Sequence, residues 1–209
     1  MQIQVQQAFQ AEFNVSRETL AHLEEYADLL RKWNPAINLV SKNTIKDLWQ
    51  RHFYDSAQIY QLRAEKACKW ADIGSGGGFP ALVLAVMAKE TAPVSHFTLV
   101  ESDMRKSTFL GTVIRKLDLN AVVVSERIEE TQPLDADILT ARAVAPLEKL
   151  LGFANRHLKP GGIALFPKGD RFRDEIEQAM VNWRFDLEEI PSKTNPTGAI
   201  LKIGDISRV

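Results

Sequence analysis

The sequence predicts an α/β fold: a Rossmann-like, doubly wound and mostly parallel sheet with an antiparallel edge, preceded by an N-terminal helical extension. Three observations predict it. From Lys69 onward short apolar runs alternate with amphipathic stretches, as strands and helices do when a parallel sheet is covered on both faces. A glycine-rich turn, Gly74-Ser75-Gly76-Gly77-Gly78, stands between the first of those strands and the helix after it, at the sheet edge where open α/β sheets bind ligands. Before residue 66 the apolar residues recur at helical spacing.

In chain order, Ser16 is placed to cap a helix carrying Leu20, Leu23, Ala27 and Leu30 on one face. Asn34, Pro35 and Asn38 mark a break. A second helix is expected from about Thr44, with Ile45, Leu48, Trp49, Phe53 and Ala57 along its apolar stripe. Strands are then expected at 70–73, 97–101, 122–125, 137–141 and 163–167, with helices at 81–89, 106–117, 147–157 and 173–182 between or after them. Two further runs, 185–190 and 199–203, read as an antiparallel edge. The aromatic residues Trp33, Trp49 and Phe53 lie at helical spacing and read as core.

The 209 residues are 45% hydrophobic and 25% charged, enough to bury one sizeable core. The expected organisation is a helical region over residues 1–65 and one compact unit over 66–209. With a formal net charge of -1, any nucleic-acid surface has to be a local patch. One cysteine, Cys68, allows no internal disulfide, and the four histidines are too far apart for a zinc signature, so no metal is expected. Residues 1–10 lack the basic start and apolar run of a signal peptide. The longest apolar run, 79–88, falls well short of the roughly 20 residues that span a membrane. A cytoplasmic protein without membrane contact is expected, and a monomer, although the missing heptad pattern by itself leaves the oligomeric state open.

The glycine turn is the most informative segment. A phosphate-binding P-loop requires Gly-Lys and then Ser or Thr, which is missing. A hydrolase elbow fails because Ile73 stands where its first glycine belongs. A dinucleotide fingerprint fails when counted from Gly74, yet survives in the register Gly76, Gly78, Ala81, so a dehydrogenase stays open. A methyltransferase uses the turn as it stands: Asp72 precedes Gly74, and Glu101 ends the next strand, where a carboxylate can accept hydrogen bonds from both ribose hydroxyls of an adenosyl group.

Several segments together resemble the RsmG (GidB) family, bacterial methyltransferases that form 7-methylguanosine in 16S ribosomal RNA. They are Lys32-Trp33-Asn34 with Asn38-Leu39, Arg51-His52 with Asp55-Ser56, the run from Asp72 to Pro80, Arg142-Ala143 and Lys168-Gly169. The Arg-His-x-x-Asp-Ser stretch and the Phe79-Pro80 ending are more specific than the glycines. The resemblance implies a class I S-adenosylmethionine-dependent methyltransferase fold, S-adenosyl-L-methionine as cofactor, and 16S ribosomal RNA or the small ribosomal subunit as partner. It implies cofactor contacts at Gly74, Phe79, Ile128, Glu129 and Arg142, to which the turn and its acids add Asp72, Gly76, Gly78 and Glu101. Two positions depart from the family pattern: Ala81 where glycine is usual, and Pro167 just before Lys168.

Nitrogen 7 of guanine is an unprotonated acceptor beside the carbonyl oxygen, so its methylation needs no general base. The lack of a Ser/His/Asp or paired-carboxylate constellation is then expected. Arg142 and Lys168 are the expected catalytic residues, orienting the base through its carbonyl oxygen or a phosphate. Arg51, Arg105, Lys106 and Lys168 are the candidates for RNA contact, and His52 is either a hydrogen-bonded histidine or an RNA contact. A small-molecule methyltransferase with the N-terminal helices as a lid, a nucleotide dehydrogenase, and a catalytically idle RNA-binding protein are the alternatives.

Overall fold

The computed structural model describes residues 2–63 and 68–209; the boundary expected between residues 65 and 66 lies outside the described residues. Two helices come first, α1 (Gln2–Phe13) and α2 (Arg17–Ile37). Ser16 caps α2 as expected: its backbone is extended and its Oγ accepts the Thr19 N–H at 3.0 Å, satisfying one of the donors that a helix start leaves free. The expected break at Asn34 and Pro35 does not occur there. The helix continues to Ile37 and ends at Asn38, which is left-handed with φ of 49°. Pro35 is tolerated because it lies in the last turn, where its missing N–H removes a bond on which no further turn depends.

The amphipathic helix expected from about Thr44, with Ala57 ending its apolar stripe, is three pieces instead. These are a 3₁₀ turn at Ile45–Asp47, a wide turn with i→i+5 hydrogen bonding at Trp49–Tyr54, and α3 (Asp55–Tyr60). Tertiary contacts account for the departure. Trp49 and Tyr54 pack edge-on against Phe9 of α1, while the Arg51 carbonyl and the His52 ring bond to Arg142, far along the chain. Wide turns of this kind occur frequently at functional sites.

The sheet follows: β1 (Lys69–Ile73), α4 (Ala81–Thr91), β2 (His96–Val100), α5 (Met104–Lys116), β3 (Ala121–Val124), β4 (Ala136–Thr140), α6 (Leu147–His157), β5 (Leu158–Lys168), α7 (Phe172–Ala179), β6 (Trp183–Pro191) and β7 (Ala199–Arg208). The strand order is β3-β2-β1-β4-β5-β7-β6. The first five run parallel, and β7 lies antiparallel between β5 and β6, which is the expected mixed sheet. Pro167 pairs with Ile200 one residue before β5 ends, so Lys168 still closes the strand.

Side chains alternate across the sheet with a period of two. Trp70, Phe97, Leu99, Ile138 and Leu165 join the core beneath the first five helices, whereas Ala71, Ile73, Leu139, Ala164 and Phe166 join the core beneath α6 and α7. Residues 81 to 88 of α4 are all buried because the helix is covered by the sheet on one side and by α2 and α3 on the other. Trp49 and Phe53 are buried, and Trp33 packs against Phe109, so the three aromatics are core as expected. Among the described residues, no helix is long and apolar enough to cross a membrane and no cluster could hold a metal ion.

Candidate active site

The turn after β1 is built from the end of the strand outward. The Gly74 and Ser75 N–H groups both bond to the Val100 carbonyl at the end of β2, at 2.9 and 3.2 Å. Gly74 and Gly78 have φ of +65° and +94°, a region open to glycine at little cost. A Cβ on Gly78 would lie 2.7 Å from the Tyr26 hydroxyl oxygen. Tyr26, from α2, donates to the Gly77 carbonyl and stacks on Phe79 at 5.4 Å. The helical extension therefore holds the glycine turn directly.

Two carboxylates flank the turn. Glu101 is buried; its Oε2 accepts the Gly76 N–H at 2.8 Å and its Oε1 the Asp103 N–H at 2.9 Å. A carboxylate offers about four acceptor sites, so each oxygen keeps capacity for a ligand. Asp72 is also buried; its Oδ1 accepts the Thr140 hydroxyl at 2.6 Å, and its Oδ2 has no hydrogen-bond partner among the described residues. Burial raises the Asp72 carboxyl to about 7, opposed by the Thr140 and Ser75 hydroxyls and by the nearby Arg142 charge. A buried acceptor without a donor is costly in the ligand-free protein, and it suits a cationic group bound beside the turn.

Arg142 follows β4 and is held from the other side by the wide turn. Its Nη1 donates to the Arg51 carbonyl and to Asp55 Oδ2, both at 3.3 Å, and its Nη2 donates to His52 Nδ1 at 2.7 Å. The guanidinium also lies 5.0 Å from the Phe79 ring centroid, within reach of a cation–π contact. Because His52 Nδ1 accepts, its Nε2 carries the proton and donates to the Thr44 hydroxyl at 2.9 Å. Burial, with the charges of Arg142 and Arg51, lowers the His52 ring to about 3, so it is neutral. Asp55 Oδ1 accepts the Thr194 hydroxyl at 2.7 Å from the β6–β7 loop. Ala143, next to Arg142, has φ of +56°, a conformation that non-glycine residues hold at a cost and that clusters at functional sites.

These groups face a cavity of about 740 Å³ whose charged lining is Arg51, Asp55, Arg142, Lys168 and Glu175. Val144 also lines it and lies against Gly74, so close that a Cβ there would sit 2.7 Å from Val144 Cγ2. The cavity thus adjoins the glycine turn. Lys168 is nearly buried; its Nζ donates to the Ala145 carbonyl at 3.0 Å and pairs with Glu175 at 2.7 Å.

The sequence-derived candidates fall into three groups. Asp72, Gly74, Gly76, Gly78, Phe79 and Glu101 form the turn and its flanks. Arg51, Arg142 and Lys168 line the adjoining cavity. The remaining four lie outside that cavity: Ile128 packs on the core beneath α6 and α7, Glu129 pairs with Lys149 of α6 at 3.1 Å, and Arg105 pairs with Asp103 at 3.3 Å in the first turn of α5 beside Lys106. Sequence reasoning missed Tyr26, Asp55, Thr194 and Glu175 as parts of the site. Asp55 alone left a signal, since it stands in the Arg-His-x-x-Asp-Ser stretch.

The family model for rRNA small subunit methyltransferase G matches residues 19–198. A "Ribosomal RNA small subunit methyltransferase G" from Ruegeria pomeroyi is 52% identical, over 94% of this chain and 96% of that protein. One from Rhodospirillum centenum is 49% identical, over 95% of this chain and 90% of that protein. Among solved structures, a TehB-like SAM-dependent methyltransferase from Corynebacterium glutamicum superposes with a TM-score of 0.56 at 17% identity, covering 88% of this chain and 98% of that one. That similarity concerns the fold.

Proposed function

The chain belongs to the rRNA small subunit methyltransferase G family, and we propose that it transfers a methyl group from S-adenosylmethionine to nitrogen 7 of a guanosine in 16S ribosomal RNA. The observation that carries this reading is the junction between the glycine turn, flanked by Asp72 and Glu101, and the cavity lined by Arg142 and Lys168. When bound, S-adenosylmethionine supplies a methyl group made electrophilic by its sulfonium.

Asp72, Gly74, Gly76, Gly78, Phe79, Glu101, Ile128, Glu129 and Arg142 are the residues assigned to hold it. Asp72 Oδ2, without a hydrogen-bond partner among the described residues, offers an acceptor to the cofactor's ammonium, and the free lone pairs of Glu101 offer acceptors to the ribose hydroxyls. The turn itself lets the ligand approach backbone rather than side chains.

Nitrogen 7 needs no deprotonation, and the one histidine lining the cavity is committed at both ring nitrogens. Catalysis then rests on alignment, which in well-oriented systems supplies about 7–11 kcal/mol. An arginine fork usually grips guanine through both O6 and N7. Here N7 must keep its lone pair for the methyl carbon, so Arg142 and Lys168 donate to O6 or to a phosphate. Arg51, Arg105, Lys106 and Lys168 contact the RNA backbone. The helical region, residues 1–65, completes the site of the methyltransferase unit, residues 66–209, and the protein acts as a cytoplasmic monomer.

The test is transfer of labelled methyl to naked 16S RNA and to small subunits from cells lacking the enzyme. Incorporation into either as 7-methylguanosine supports the reading. Tight cofactor binding with no incorporation into RNA would turn it towards a small-molecule acceptor.

A further inference from the structure

The charges that line the cavity are nearly balanced. Its charged lining comprises the cations Arg51, Arg142 and Lys168 and the carboxylates Asp55 and Glu175. Two of the cations are paired with the two carboxylates, Arg142 with Asp55 at 3.3 Å and Lys168 with Glu175 at 2.7 Å, while Arg51 is exposed. His52 accepts from Arg142 through Nδ1 and so adds no charge. The carboxylates are also anchored independently of the cations. Asp55 Oδ1 accepts from Thr194 at 2.7 Å and from Gln58 at 3.0 Å, and Glu175 Oε2 accepts the Leu147 N–H at 2.7 Å. Both are built into the wall.

The pairs leave donors over. Arg142 commits three of its five N–H groups, leaving Nε–H and one on Nη2. Lys168 commits two of three. The cavity can therefore donate hydrogen bonds to a guanine without presenting two bare cations to it.

That distinction matters for the chemistry. The N7 lone pair forms a bond to the methyl carbon, and the carbon–sulfur bond breaks with its electrons left on sulfur. The positive charge moves from sulfur to the guanine ring, with no proton released. An unpaired cation a few ångströms from that ring would oppose the transfer by about tenfold or more, given the strength of charge interactions inside a protein.

We propose that Asp55 and Glu175 are positioning residues for the methyl transfer: they fix Arg142 and Lys168 as donors and cancel the repulsion that the cationic 7-methylguanine would meet in this cavity. The proposal rests on the guanine N7 reading given above.

It is tested with the full chain and with Asp55→Asn and Glu175→Gln, by measuring dissociation constants for small subunits with and without the methyl group, single-turnover rates, and S-adenosylmethionine affinity. Each substitution should weaken binding of the methylated particle relative to the unmethylated one by about tenfold, and lower the single-turnover rate by a similar factor. Cofactor affinity should change by less than about threefold in Glu175→Gln, whose partner Lys168 is not assigned to the cofactor, whereas Asp55→Asn, which loosens the cofactor-holding Arg142, is read by its ratio of dissociation constants alone. Asp55→Glu, which keeps the charge, should restore the ratio. A purely structural role would shift both dissociation constants together; unchanged ratios in folded variants overturn the proposal. The two substitutions break different pairs, so thermal melts showing either one folded keep the test valid. If the unmodified chain places no methyl on a guanine N7, the functional reading itself has failed; if it does and the ratios are unchanged, this proposal alone has failed.

Discussion

At the scale of single residues, the site holds two titratable groups shifted in opposite directions. The folded Asp72 carboxyl sits at about 7 against 3.8 for an unburied one. Between those values the folded state keeps a proton that the unfolded state has released, so the ligand-free fold loses stability as pH rises from about 4 to about 7. Asp72→Asn should stabilise the ligand-free protein by about 1–3 kcal/mol at pH 8 and weaken S-adenosylmethionine binding, as read by denaturant titration and calorimetry. Lower stability for the variant would contradict the account. His52 has the reverse sign: lowered from 6.5 to about 3, it contributes stability that is present above pH 6.5 and lost as pH falls towards 3. His52→Gln should flatten the acid limb of the stability curve by about one proton, which melts across that range will detect. The position of Asp72 and Glu101 was legible in the sequence because both stand at strand ends next to a glycine turn. The Asp72 shift was not, since burial is a property of the assembled sheet.

At the scale of elements, the strands and sheet helices were legible because their apolar periods are strong and uninterrupted. The stretch over residues 44–60 was misread. Its helical spacing is real, yet the aromatic contacts with α1 and the bonds to Arg142 widen the path at Trp49–Tyr54, and those partners lie far off in the chain. This wide turn, with α2, couples the helical extension to the glycine turn. Tyr26 is the test of that coupling. Tyr26→Phe removes the donor to the Gly77 carbonyl and should cost about 1–2 kcal/mol in stability, while raising the S-adenosylmethionine dissociation constant. A variant with the stability loss and unchanged cofactor affinity would mean that α2 supports the fold without shaping the turn.

At the scale of the whole molecule, a net charge of -1 means that RNA binding depends on local cations rather than on a general field. Arg105, largely exposed, and Lys106 lie at the ligand edge of the sheet, at the start of α5. Each replaced by alanine should lower the slope of log affinity against log salt by about 1; slopes matching that of the unmodified chain would remove both from the RNA surface. The fold and a ligand at the glycine turn could be read from residues alone, whereas guanine and ribosomal RNA came through family resemblance, because nothing in local spacing encodes which base enters a cavity assembled from four distant segments. The central claim is therefore the identity of the methylated atom. The most direct measurement is nucleoside analysis of 16S RNA labelled by the full chain from methyl-labelled S-adenosylmethionine: all label in 7-methylguanosine is the predicted result, and label in any other nucleoside would contradict the account.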